Sequence, residues 1–267
     1  MSDTEFGADP DEAKDRNFIT ALARGLDVLR CFRPNETDLT NNDISERTGL
    51  PKPTVSRLTH TLCKLDYLIA DARTGSYRLS AGVLQLGYGV LSGMEIGERA
   101  ADAMRALRNG PNSYITCALA ERHRTDAVYV AVQRSREEIS LTMHVGSRLP
   151  LFFSAIGRSI LVGMTDEERA AVLRSADESD PEGQEARHAS IERAIEEYKA
   201  SGFCTGYGDW RPDVNGIAVP VYSLSGTRVY GLNVGGPSFH VKKKQLEQHY
   251  AKSLIEAAAA LSCGPSH

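Results

Sequence analysis

Apolar positions in the first third of the chain recur at helical spacing. Leu22, Leu26, Leu29 and Phe32 make one stripe, which predicts a first helix over residues 21–32. Arg33-Pro34-Asn35 breaks it. Thr40-Asn41-Asn42-Asp43 has the capping-box pattern, a hydroxyl followed three residues on by a carboxylate. It opens a second helix running to Arg47, with Gly49 as its C-cap. Pro51-Lys52-Pro53 begins a third helix that reaches about Leu65; a proline suits a first turn, where the N–H has no partner. The period then shortens. Residues 67–70 and 76–79 read as strands around the polar turn 71–75, which ends in Gly75. Three helices and a hairpin, in that order, spell a winged helix-turn-helix.

Residues 80–108 read as a long helical connector with Leu84, Leu91, Met94 and Met104 among its apolar positions. Its glycines weaken it, and a break is expected near Gly93. Asn109-Gly110-Pro111 stops it. Beyond, strands are expected at 115–120, 127–132, 138–145, 216–222 and 229–234. Helices are expected at 154–163, 166–174, 187–200 and 241–261. This mixture lacks regular βαβ alternation, so the fold class is α+β. The expected organisation is a disordered tail (1–17), a winged helix-turn-helix DNA-binding domain (18–80), a helical linker and dimerisation segment (81–110) and a second domain (111–267), which the family resemblance given below makes an effector-binding domain.

A chain of 267 residues, 41% hydrophobic and 25% charged, can bury two cores. No window offers the roughly 18 apolar residues of a membrane span. Residues 1–15 lack the basic start and apolar core of a signal peptide, so the expected location is the cytoplasm. Cys31, Cys63, Cys117, Cys204 and Cys263 form no C-x-x-C pair, which argues against zinc and against a disulfide framework. His144 has no partner at metal-ligand spacing. No metal or cofactor is expected.

The net charge of −4 conceals an asymmetry. From Lys14 to Arg78 there are 11 basic against 8 acidic residues, and elsewhere 20 against 27. On the third helix Val55, Leu58, Thr59, Leu62 and Cys63 share one side, and Arg57, His60, Thr61 and Lys64 the other. That is the amphipathic layout of a recognition helix, although the helix alone also fits a plain solvated element. The candidate DNA-binding residues are Lys52, Pro53, Thr54, Ser56, Arg57, His60 and Arg73. Arg57 has the fork that chelates guanine O6 and N7. The helix-start N–H groups near Lys52 suit a phosphate. Arg73, at the hairpin tip, suits a minor groove or backbone.

These residues resemble the IclR family of transcription regulators. The matching stretches are residues 21–29, 48–58 and 77–79, then Val145-Gly146-Ser147-Arg148-Leu149-Pro150-Leu151, Ser154-Ala155-Ile156-Gly157-Arg158, 217–221 and Leu232-Asn233-Val234-Gly235-Gly236-Pro237. The resemblance spans about residues 18–261 with the motifs in order. It implies a GAF-like C-terminal domain, a dimer or tetramer on double-stranded operator DNA, and a small organic-acid effector. RNA polymerase is a further expected partner. The branch controlling aromatic-acid catabolism looks nearest. The positions it points to are Ser154, Ala155, Asp209, Gly216, Asn233 and Gly235. To these the residues themselves add Phe153 and Trp210, because Leu151-Phe152-Phe153 and Gly206-Tyr207-Gly208-Asp209-Trp210 depart from the family pattern toward bulk and aromaticity. Plain alternatives stand beside these: Phe152 and Phe153 as core, Trp210 as core or hinge, Ser154 as an N-cap. Repressor and activator stay open. The other reading is an enzyme acting on a small organic acid with an appended winged helix; no G-x-S-x-G, P-loop, H-E-x-x-H or G-x-G-x-x-G motif speaks for it. A purely architectural DNA binder is disfavoured by the size of the second domain.

Overall fold

The computed structural model describes residues 16–33, 36–137 and 143–262. The tail expected over 1–17 lies, except for its last two residues, outside them, as does most of the strand expected over 138–145. The chain divides into two compact units between Gly93 and Met94.

In the first unit, helices α1 (Thr20–Arg30), α2 (Asn41–Thr48) and α3 (Lys52–Lys64) surround Val28, Leu39, Ile44, Val55, Leu62 and Leu68. Each α2 end has a local cause. Thr40 and Asp43 close a reciprocal capping box, and Gly49 terminates the helix at φ 68°, where a side chain would be strained. A three-stranded sheet follows from β1 (Leu39–Thr40), β2 (Leu68–Asp71) and β3 (Ser76–Leu79), in the order β1-β3-β2. Two polar ties fix the helices. Arg47 of α2 reaches the Cys31 carbonyl at 2.9 Å, satisfying the end of α1. Asn41 accepts from Thr59 of α3 at 3.2 Å and donates to the Tyr77 hydroxyl of the wing at 3.5 Å. Helix α4 (Ala81–Ser92) completes the unit.

One expectation changes here. Only the second half of the first helix's stripe joins this unit's core: Leu29 and Phe32 pack against it beside the buried Val28, while Leu22 is 61% and Leu26 43% exposed. On α4, Leu84, Leu86, Tyr88 and Val90 are likewise exposed. The first helix also ends at Arg30, before Phe32.

The second unit is built on one six-stranded antiparallel sheet: β4 (Thr116–His123), β5 (Asp126–Gln133), β6 (Arg148–Pro150), β7 (Cys204–Tyr207), β8 (Val214–Tyr222) and β9 (Val229–Pro237), ordered β6-β5-β4-β9-β8-β7. Helices α5 (Glu95–Arg108), α9 (Lys243–His249) and α10 (Ala251–Leu261) cover one face. On the other lie α6 (Ala155–Gly163), α7 (Asp166–Ser179) and α8 (Gln184–Ser201). Because β8 and β9 are central and covered on both faces, they read as near-continuous apolar runs. The connector is therefore two helices. Ile96, Ala100, Met104 and Leu107 of α5 belong to the sheet's core. The closing helix is also two, interrupted at Tyr250, whose buried ring lies where a Cβ on Gly110 would come within 2.6 Å. Strands β6 and β7 were not expected. Around His144 the chain makes a turn closed by Ser147 N–H onto the His144 carbonyl. No helix among the described residues is long and apolar enough to cross a membrane.

Candidate functional site

The first site is a surface. Helix α3 turns Val55, Thr59 and Leu62 inward, which leaves Lys52, Pro53, Ser56, Arg57 and His60 exposed and Thr54 half-buried. Arg73 stands exposed in the turn between β2 and β3. That turn is held by Gly75 N–H on the Asp71 carbonyl and by Arg73 N–H on the Asp71 carboxylate. The hydrogen bond from Arg73 leads the effects that hold the Asp71 pKa below its usual value. The charged ends of Lys52, Arg57 and Arg73 have no ion-pair partner among the described residues. Exposed cations of this kind are free to meet phosphate or base edges.

The second site is a cavity between the sheet and the start of α6. Its floor has a simple origin in strand register. Gly206 pairs with Gly216, Gly216 with Gly235, and Gly235 with Thr116. One row across four strands thus carries three residues without side chains, and the row opens a depression. The neighbouring row on the same face places Asn233 between Ala218 and Ala118. Tyr129, Leu149, Ile156, Met143 and Trp210 supply apolar walls.

Above the floor stands the N-terminus of α6. Ser154 caps it: its hydroxyl accepts from Gly157 N–H at 3.1 Å and donates to the Pro150 carbonyl at 2.7 Å. Ala155 and Ile156 line the cavity, and their N–H groups have no acceptor among the described residues. A Cβ on Gly206 would lie 2.7 Å from the Ala155 nitrogen; glycine there leaves the helix end uncovered. Free N–H groups and the helix dipole favour an anion. At the other polar point, the Asn233 Oδ1 is buried with no hydrogen-bond partner. An unpaired buried acceptor is costly and calls for a donor. Burial raises the neighbouring Tyr129 phenol well above its usual pKa, with the Asn233 side chain opposing that shift. The phenol is therefore neutral at physiological pH.

Among the described residues, no Lys, Arg or His lines this cavity. Arg158, one turn into α6, is only 2% exposed, yet it faces away into a polar knot. It donates to the carbonyls of Phe152 and Thr205, to the Ser190 hydroxyl and to Asp209 at 2.8 Å. Arg193 approaches the same Asp209 oxygen at 3.1 Å. Burial would raise the Asp209 pKa, but the hydrogen bond and charge of Arg158, joined by Arg193, outweigh it and the net shift is downward.

Of the sequence candidates, Ser154, Ala155, Trp210, Gly216, Asn233 and Gly235 come together around the cavity. Phe153 packs against the adjoining core instead, and the Asp209 carboxylate is turned to the arginines. Sequence reasoning did not pick Tyr129, Thr116, Gly206 or Arg158 as site residues. The signal available for Arg158 was a lone charge in the apolar run of α6. For the others, only strand register brings them to the cavity. Among the described residues no cluster of His, Cys, Asp and Glu could hold a metal. Burial pushes the Cys31 thiol up to about 11 and raises Cys117 and Cys204 as well, so these cysteines are poor nucleophiles at neutral pH.

Comparison with known proteins matches most of the chain. Residues 21–72 match the IclR helix-turn-helix domain, and residues 88–263 match the family described as bacterial transcriptional regulator IclR C-terminal. The Pca regulon regulatory protein of Pseudomonas putida is 32% identical over 265 residues, covering 96% of this chain and 85% of that protein. The crystal structure of an IclR family regulator from Brucella abortus is 40% identical, with a TM-score of 0.80 over 98% of this chain and 97% of that one. An IclR homologue from Microbacterium hydrocarbonoxydans, solved in complex with 4-hydroxybenzoate, has a TM-score of 0.68 at 24% identity, over 91% and 97% of the two chains. At that identity the likeness is one of fold.

Proposed function

The chain belongs to the IclR family of bacterial transcriptional regulators, and from that premise we propose that its cavity takes an aromatic monocarboxylic acid bearing a ring hydroxyl. The protein is a DNA-binding regulator controlled by a small effector. The acid's carboxylate sits on the Ala155 and Ile156 N–H groups, its ring lies between Tyr129, Leu149 and Trp210, and its hydroxyl donates to Asn233 Oδ1. The observation that carries this reading is the pairing of a free helix N-terminus with one orphaned buried acceptor across an apolar space. That 4-hydroxybenzoate occupies a protein of the same fold supports the choice of ligand chemistry.

On the DNA side, α3 enters the major groove, Arg57 reads a guanine, Lys52 with the start of α3 holds a phosphate, and Arg73 touches the flanking backbone or minor groove. The exposed apolar residues of α1 and α4 are the faces through which two copies pair. A homodimer then sets two recognition helices on half-sites about 34 Å apart, or a multiple of it. The protein acts in the cytoplasm, where its operator lies, and as a binding protein rather than an enzyme. RNA polymerase is the second macromolecular partner of this scheme. The effector acts through its difference in affinity for two arrangements of the oligomer.

The test is isothermal titration of the full-length protein with benzoate and 4-hydroxybenzoate, beside Gly216→Ala. A Cβ on Gly216 meets nothing closer than 3.4 Å, so the variant fits the fold while a methyl enters the cavity. Saturable binding of 4-hydroxybenzoate, about tenfold weaker in the variant, fits the proposal. Equal binding by both proteins places the ligand elsewhere.

A further inference from the structure

The cavity as it stands is about 20 Å³, room for about one water molecule, whereas pockets that enclose small organic ligands run to about 300 Å³ or more. An aromatic acid therefore fits only after one wall has moved. The floor is held by strand ladders on both sides and the α6 end by its cap. Two walls are irregular chain, the segment before β6 with Met143 and the β7–β8 loop with Trp210, and of these the β7–β8 loop is tied by ion pairs to α6 and α8. That loop begins at Gly208, with φ 88°, and is irregular to Val214.

Among the described residues, the polar ties from this loop to α6 and α8 all run through Asp209. Its carboxylate is 25% exposed and meets Arg158 of α6 at 2.8 Å and Arg193 of α8 at 3.1 Å. It also accepts from Tyr207 N–H at 3.2 Å. Arg193 reaches Glu197, and Glu197 in turn accepts from the N–H and hydroxyl of Thr205 on β7. The residue next to Trp210 is thus clamped to both helices behind it. Asp209 itself lines no part of the cavity, and its oxygen is occupied.

We propose that Asp209 is a positioning residue of this site: through Arg158 and Arg193 it holds the Trp210 wall against the cavity, and the effector binds by loosening that clamp. The inference rests on reading the cavity as the effector site. It assigns Asp209 a role distinct from contact with the ligand. A clamp made fully only in the closed state lowers apparent effector affinity by the fraction of molecules that are open. Weakening it raises that affinity.

Trp210 is the chain's single tryptophan, so fluorescence excited at the red edge of indole absorption, where tyrosine does not absorb, reports on this wall. The experiment uses the full-length protein, with Arg193→Gln and Asp209→Asn, and 4-hydroxybenzoate as probe. Arg193 is 46% exposed, so its variant strands no buried charge and serves if Asp209→Asn fails to fold. Without ligand, both variants are expected to show red-shifted emission and stronger acrylamide quenching than wild type. The Kd for 4-hydroxybenzoate is expected to fall about threefold in Arg193→Gln and about tenfold in Asp209→Asn, the latter equal to one charge-assisted hydrogen bond. Unchanged emission and Kd, or weaker binding, overturns the clamp. If wild type shows no saturable response to 4-hydroxybenzoate, the reading of this site as one for hydroxylated aromatic acids falls, while ligand-free emission still decides the clamp. A merely structural role for Asp209 lowers the melting temperature without altering Kd.

Discussion

On α3 and the wing, Lys52, Arg57 and Arg73 hold their charged ends in solvent with no ion-pair partner among the described residues. In the second unit every arginine near the cavity is already answered: Arg158 by Asp209, Arg187 by Asp177 and Asp180, Arg193 by Asp209 and Glu197. On the proposed reading both regions receive an anion, yet one offers free cations and the other offers neutral dipoles. The difference follows from the anion. A duplex is a polyanion met at the surface, where long-range attraction speeds encounter and counterion release drives binding. A single carboxylate entering an apolar cavity needs a few fixed donors. An unpaired buried arginine would cost more in desolvation while the cavity is empty than two backbone N–H groups do.

The largest expected effect is therefore in salt dependence. Raising salt from about 50 to 200 mM is expected to weaken operator binding by about 10³-fold or more for a dimer touching six or more phosphates. The Kd of 4-hydroxybenzoate is expected to change less than about twofold, because a buried contact with neutral donors is little screened. Parallel titrations of both ligands check this. An effector Kd that climbs as steeply as the DNA Kd would break the comparison.

Next in size, Arg57→Ala is expected to cost about 1–3 kcal/mol in operator affinity, with discrimination relaxed at one base position and no change in melting temperature. Lys52→Ala should weaken all sequences alike and lower the slope of log K against log salt by about 1. Binding arrays at two salt concentrations separate the two residues. In the cavity, Asn233→Leu removes the orphaned acceptor. It is expected to erase the preference for 4-hydroxybenzoate over benzoate, about 1 kcal/mol, as read by calorimetry. A retained preference would place the hydroxyl elsewhere.

The last effect is one of pH. The folded-state pKa of Asp209 lies below its ordinary value, so its pairing stabilises the fold at neutral pH. That contribution is lost as pH falls through the lowered pKa. Wild type is thus expected to exceed Asp209→Asn by about 2 kcal/mol in urea unfolding at pH 7, with the gap closing below about pH 4. A gap that widens in acid would contradict the pairing.

How much of this was legible beforehand differs between the regions in the same way. The DNA surface depends on local chemistry. The capping box at Thr40, the left-handed Gly49 and the period of Val55, Thr59 and Leu62 act within a few residues of one another, so the sequence displays them. The stripe on α1 showed the limit of periodicity. Leu22 and Leu26 mark a face that seeks burial, but their spacing does not say against what, and within their own unit they stay exposed. The cavity depends on distant pairing. Gly206, Gly216, Gly235 and Thr116 form one row only once four strands are in register. Nothing in the local sequence of Thr116 tells of that row, nor does that of Tyr129 tell of its place opposite Ala120. The resemblance supplied Ser154, Gly216, Asn233 and Gly235 as positions. It could not tell that the Asp209 carboxylate faces Arg158, since that depends on where the guanidinium of a buried helix ends.

The most direct test of the central account joins the two regions in one tube. Fluorescence anisotropy of the protein's own upstream DNA, bound by the full-length protein at low salt, is followed as 4-hydroxybenzoate is added to wild type and to Gly216→Ala. The account predicts that the acid changes DNA affinity in wild type, and that the same change in the variant needs about ten times more acid. Identical responses from both proteins, or no response to the acid while DNA stays bound, would contradict it.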